Sequence, residues 1–160
     1  MNVTIVHDSQ AGNGEKLALA MARAFETDGN VVTVGHVNNL DAGAAAASPP
    51  NLLVVGAAIR AFRTSPTTKA WLAKLDRRLQ DEGKLIPCAA VFVTHGLPVK
   101  AANGWGRRFL KRVGRIKGIG RLYPEWLSGR VVAQSGPLED GAEQTFEAHA
   151  ATLAHWAGAE

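Results

Sequence analysis

The run NLLVVGA, Asn51 to Ala57, is apolar at every position after the first, and LIPCAAVFVT, Leu85 to Thr94, is nearly so. A strand with one wet face alternates apolar and polar residues. Runs without that alternation predict strands covered on both faces, the arrangement of a parallel sheet between two layers of helices. The segments around them fit. VTIVH, residues 3–7, and NVVTVGH, residues 30–36, are short β-branched strands, and RVVA, residues 130–133, is read as a last one. Leu17, Met21, Ala24 and Phe25 recur at helical spacing after the first strand; Trp71, Leu72, Leu75 and Leu79 do so after the third. Trp105, Phe109, Val113 and Ile116 mark a helix over 104–117, and Phe146, Ala150 and Leu153 one over 140–157. The Ala-rich stretch before Pro49-Pro50 predicts only a short or poorly formed helix. Chain order is therefore β-α-β-(α)-β-α-β-α-β-α, which predicts an α/β protein with a parallel sheet and helices on both faces.

Length and charge narrow the partners. A chain of 160 residues, 46% hydrophobic, is read as one domain over 1–160 with a real core. The one cysteine, Cys88, lies in an apolar run and is read as an inert core residue. No basic leader precedes an apolar stretch at the N-terminus, and no apolar run approaches membrane-spanning length; a cytoplasmic protein is the expectation. The net charge is +4, but Trp105 to Arg130 holds eight basic residues against Glu125 alone. That segment carries +7 and leaves −3 for the rest. An anionic partner is expected there, either an acidic protein or an anionic membrane surface. Nucleic acid is not expected, because the block lacks interleaved aromatics and a binding motif.

Ligands of open α/β sheets bind beyond the carboxyl ends of the strands. Three loops leave those ends: 8–14, 57–66 and 95–104. The first, DSQAGNG, has glycines for close backbone approach and opens a helix, whose free N–H groups and dipole suit a phosphate. It is neither G-x-x-x-x-G-K-[ST] nor G-x-G-x-x-G, which argues against a nucleoside triphosphatase and a dinucleotide enzyme. There is no G-x-S-x-G elbow. His149 and His155 are six residues apart, His7 and His36 stand at strand ends, and no metal site is predicted. His95, at the mouth of the third loop, is the histidine best placed to donate to a ligand or act as an acid. No catalytic residue is assigned.

SQAGNGE, Ser9 to Glu15, resembles the flavodoxin phosphate loop [ST]-x-[ST]-G-x-[ST] at the position that family uses, and the resemblance extends over almost the whole chain. GAAIRAF, Gly56 to Phe62, is similar to the G-[AS]-x-I-R segment of flavodoxin-like menaquinone-dependent protoporphyrinogen oxidases. The resemblance implies a three-layer αβα flavodoxin-like fold, a five-stranded parallel sheet of order 2-1-3-4-5, and one non-covalent FMN. It implies a phosphate cradle of Ser9, Gln10, Ala11, Gly12, Asn13 and Gly14, and flavin contacts from Ala57, Ala58, Ile59, Arg60 and Phe62 in the second loop. Thr94, His95, Gly96, Leu97 and Trp105 are the contacts it implies from the third. The family's hydroxyls at the third and sixth loop positions are Ala11 and Gly14 here, each a lost charge-assisted hydrogen bond of about 1.5–3 kcal/mol.

Three functions follow from the resemblance. The first is an FMN protein carrying electrons between redox partners, with no substrate of its own. The second is an FMN-dependent oxidoreductase acting on a quinone or porphyrinogen. The third is a flavodoxin-like domain that has lost FMN and serves as an interaction module. Flavodoxins of the family are acidic; Arg60 and Arg63 beside the second loop are expected to favour the fully reduced, anionic flavin.

Overall fold

A computed structural model describes residues 1–60, 63–133 and 135–159. In chain order the elements are β1 (Asn2–His7), α1 (Asn13–Thr27), β2 (Val31–His36), α2 (Ala42–Ala47), β3 (Leu52–Arg60), β4 (Arg63–Thr64), α3 (Pro66–Glu82), β5 (Ile86–His95), α4 (Val99–Val113), β6 (Ile119–Arg130) and α5 (Ala142–Gly158). The long strands lie in the order β2-β1-β3-β5-β6, all parallel. Counted without the two-residue β4, this is the expected 2-1-3-4-5. β4 folds back antiparallel on the end of β3, pairing Arg63 with Arg60.

The period-two pleat sorts the central strands onto two cores. Leu52 and Val54 of β3, with Cys88, Ala90 and Phe92 of β5, face Leu17, Met21 and Phe25 of α1 and Phe146 and Leu153 of α5. Leu53 and Val55, with Ala89, Val91 and Val93, face Trp71, Leu72, Leu75 and Leu79 of α3 and Phe109 and Val113 of α4. Each such side chain gains about 1.5–3 kcal/mol on burial, so the sheet's middle is stabilised from both sides. Helix α3 begins as its sequence predicts, with Ser65 at the N-cap and Pro66 at the first helical position, and ends on left-handed Gly83.

Two elements depart from the sequence reading. The last strand is Ile119–Arg130, not 130–133. It is the sheet's edge, paired only with β5 across an irregularity near Ala89 and Val91. Most of its residues are half-buried or exposed, so it carries Pro124, Glu125 and two arginines, and its composition lacks a strand's apolar run. Helix α4 spans Val99–Val113 rather than 104–117. It starts directly after Pro98, where the residues are too small and polar to show an apolar stripe.

Gly56 in β3 has a packing reason. A Cβ at that position would run into the ring of Phe92 on the neighbouring strand, and Phe92 in turn meets Phe146 of α5 edge to face, centroids 5.5 Å apart. Gly56→Ala is expected to destabilise the protein by about 1–3 kcal/mol, because the buried ring must leave its rotamer. Urea denaturation checks it, with a lowered midpoint at unchanged slope as the expected result.

Candidate functional site

At the carboxyl ends of β1, β3 and β5 the chain makes one cavity of about 70 Å³. Its floor is the turn between β1 and α1. Gly12 caps that helix with φ of 85°, a left-handed conformation that disfavours any side chain, and no side chain caps the helix in its place. The backbone N–H groups of Gln10, Ala11, Gly12, Asn13 and Gly14 have no acceptor among the described residues. Five donors facing one turn, at the positive end of a 15-residue helix, form an anion cradle. The start of a side chain at position 14 would crowd Ser9, whose Cβ would lie 3.3 Å and Oγ 3.6 Å from it. Ser9 thus brings a hydroxyl to the ground that Gly14 leaves bare.

Asp8 fixes the first loop to the second and to the start of α3. Its side chain is 3% exposed. Oδ1 accepts the N–H of Ala58 at 2.7 Å, and Oδ2 accepts the hydroxyl of Thr68 in α3 at 2.7 Å. The half-buried Arg60 guanidinium donates to the Asp8 carbonyl at 3.1 Å. That bond holds a cation beside the cradle, where it adds to the attraction for an anion. Next to this tie, the ring of His7 accepts the N–H of Ser9 on Nδ1 and meets His36 edge to face. Burial, then the neighbouring His36, pushes the His7 imidazole below its ordinary value.

Ser9, Gln10, Ala11, Asn13, Gly14, Ala58, Ile59, Arg60, Thr94, His95 and Gly96 line this cavity. Gly12 shapes it through its backbone without lining it. Ala57, Leu97 and Trp105 do not line it. Ala57 is in the α3/α4-side core, and the other two are half-buried against that core, with Trp105 stacked under Arg108 at 4.7 Å. Phe62 lies outside the described residues. The Asn13 amide, read as a cradle donor, instead donates to the Ser135 carbonyl at 3.2 Å. It thereby holds the segment after β6 against the cradle.

Two residues of the site escaped the sequence reading: Val131, which closes the cavity from beyond β6, and Asp8, which does not line it but ties the segments that do. Asp8 had a signal: a carboxylate placed between a strand and a glycine turn, where the chain must be buried, needs donors.

His95 is 3% exposed and lies between this cavity and a second one of about 390 Å³, lined also by Asn103, Glu125, Trp126, Ser128, Arg130 and Glu139. Its Nδ1 is 3.1 Å from the Leu97 carbonyl, so Nδ1 carries the proton and Nε2 remains an acceptor. Burial, above all, holds its pKa low; Arg130 acts in the same direction.

No family model and no curated protein sequence matches the chain. Solved structures do. A flavodoxin from the domain Archaea superposes with a TM-score of 0.74 at 13% identity, covering 99% of this chain and 100% of that one. Flavodoxin 2 from Bacillus cereus gives 0.72 at 15%, covering 98% and 99%. The flavodoxin, WrbA-like protein from Agrobacterium tumefaciens gives 0.73 at 15%, covering 98% and 96%. The chain has a flavodoxin-like fold. Within that flavodoxin-like fold the cradle, Arg60 and His95 stand at the carboxyl ends of the parallel strands, where open α/β sheets take ligands. No described helix is long and apolar enough to cross a membrane.

Asp8→Ala leaves a buried N–H and hydroxyl unsatisfied and is expected to cost about 2–4 kcal/mol, with Thr68→Val costing less and the two effects non-additive. A double-mutant cycle by chemical denaturation checks it. Protonation gives a second expectation. His7, His95 and His149 are each held below the ordinary imidazole value, chiefly by burial. Between the lowered and ordinary values the unfolded chain binds more protons. Stability is therefore full above that window and falls with acidification, from about pH 7 towards pH 5. Unfolding free energies across that range check it, and His95→Gln should flatten the slope.

Proposed function

We propose that the chain binds one FMN non-covalently and passes electrons between redox partners. The observation that carries this is the uncapped, Gly12-turned start of α1, with five free backbone donors and Arg60 held beside them by Asp8. The donor set fits a phosphate monoester. The 70 Å³ cavity is of a size for that end of the molecule, and Ile59 near the end of β3 and His95 at the end of β5 are the apolar and polar margins available to the rest. The flavodoxin-like fold supports the reading. When bound, the flavin supplies the one- and two-electron chemistry.

The chain's own contributions follow from its geometry. The backbone of residues 10–14 holds the phosphate and Ser9 adds a hydroxyl. Arg60 neutralises negative charge, and Ile59 excludes water at the margin. His95, neutral and with its Nδ1 proton given to Leu97, offers an acceptor and not a cation to the cavity.

A second reading, an FMN-dependent oxidoreductase on a small substrate of quinone or porphyrinogen type, rests on the 390 Å³ cavity that shares His95 with the cradle. Turnover of quinone with NAD(P)H separates it from simple electron carriage.

Titrating the purified protein with FMN and with riboflavin tests the first reading. FMN fluorescence should quench to a 1:1 endpoint, and riboflavin should bind at least about tenfold more weakly, because the cradle's charge-assisted bonds are absent. Arg60→Gln should weaken FMN and lower the second one-electron potential. A colourless protein that quenches neither flavin overturns the reading and leaves an interaction module.

A further inference from the structure

The eight basic residues between Trp105 and Arg130 do not act together. Arg121 is drawn to the α5 side, where it donates to the Ala157 carbonyl and lies over the Trp156 ring. Arg130 pairs with Glu139. The other six, Arg107, Arg108, Lys111, Arg112, Arg115 and Lys117, are all exposed, and none has a carboxylate partner among the described residues. Their spacing puts the helical ones in two adjacent rows on the outward side of α4, opposite the buried Ala102, Phe109 and Val113. Arg23 on α1 offers a contrast: it reaches both Glu143 and Glu147 of α5.

The face continues into a groove of about 160 Å³ between α3 and α4, lined by Lys69, Arg112 and Arg115 against Asp76 alone. Asp76 accepts the backbone N–H of Lys117 at 3.0 Å, and its single negative charge is outnumbered by the three cations around it.

We propose that this outward face of α4 is the docking surface for an acidic electron-transfer protein. The proposal rests on the FMN reading for its purpose, not for its binding. Charge complementarity selects the partner's sign. Its class follows from what the face lacks. A helix that lies on a membrane presents large apolar side chains to the lipid, and among the described side chains the exposed large apolar ones, Leu19, Val31, Leu85 and Val132, are all off α4. Fifteen residues of α4 make a ridge about 22 Å long, suited to the small, weak interfaces of redox encounters. Its first turn follows the loop that begins at His95, so a protein lying along α4 borders the cradle.

The test measures binding by fluorescence anisotropy, with apo-protein and a strongly acidic [2Fe–2S] ferredoxin as probe. In parallel it uses vesicles of phosphatidylcholine containing roughly 30% phosphatidylglycerol as the lipid arm. The ferredoxin is expected to bind, its affinity falling at least about tenfold between roughly 50 and 300 mM salt. The combined charge reversal Arg108→Glu, Arg112→Glu and Arg115→Glu should abolish binding. Arg78→Glu, on the α2-facing side of α3, should leave it within about twofold. Circular dichroism of each variant confirms the fold, and the salt titration of the unaltered protein stands without them. Binding that survives the triple reversal, binding indifferent to salt, or vesicle binding without ferredoxin binding overturns the proposal. Ferredoxin binding by a protein that takes up no FMN leaves the docking face standing and removes the flavin reading instead.

Discussion

The buried carboxylate of Asp8 ties together segments 50 and 60 residues apart in sequence, and the geometry of the site depends on it. Burying such a group is costly unless its oxygens are satisfied. Here one oxygen takes the backbone of β3 and the other takes the first turn of α3, while the residue's own carbonyl anchors Arg60. The desolvation of Asp8 thereby becomes a positional constraint. The glycine turn before α1, the second loop and the helix that follows it have one arrangement in which all three partners are met.

Above that tie the cradle departs from the loop it resembles without losing its logic. Two hydroxyls are missing, at Ala11 and Gly14, but the donors that a helix start supplies belong to the backbone and survive any change of side chain. Gly12 supplies the left-handed turn that aims them, and Ser9 packs into the space beside Gly14. Arg60 adds a full charge from a different loop. Held by the Asp8 carbonyl, that charge strengthens the turn's attraction for an anion.

The fold was legible where the physical signal is local. Unbroken apolar runs at 51–57 and 85–94 marked the central strands, because a strand covered on both faces has no polar positions. Ser65-Pro66 and Gly83 marked the ends of α3, because cap chemistry acts within one turn. The edge strand Ile119–Arg130 escaped, since half its surface is wet and the burial that defines it comes from β5 and α4. At the site, the loops that meet at the cavity were readable from their place after strands. Trp105 packs half-buried against the core, a placement its position near a ligand loop does not reveal, because an aromatic near a ligand loop and an aromatic in a core look alike in one dimension.

By itself, the sequence determined the alternation of strand and helix, the glycine turn at the start of α1 and the excess of positive charge near the C-terminal third. Each of these follows from chemistry spanning a few residues. Only the tertiary structure decided which donors Asp8 binds, that Asn13 spends its amide on Ser135, 122 residues away, and that the basic block divides into six free cations and two engaged ones. Those outcomes depend on which side chains meet after the sheet has formed. Periodicity encodes the faces that must be buried; it does not encode the partner a polar group finds once they are.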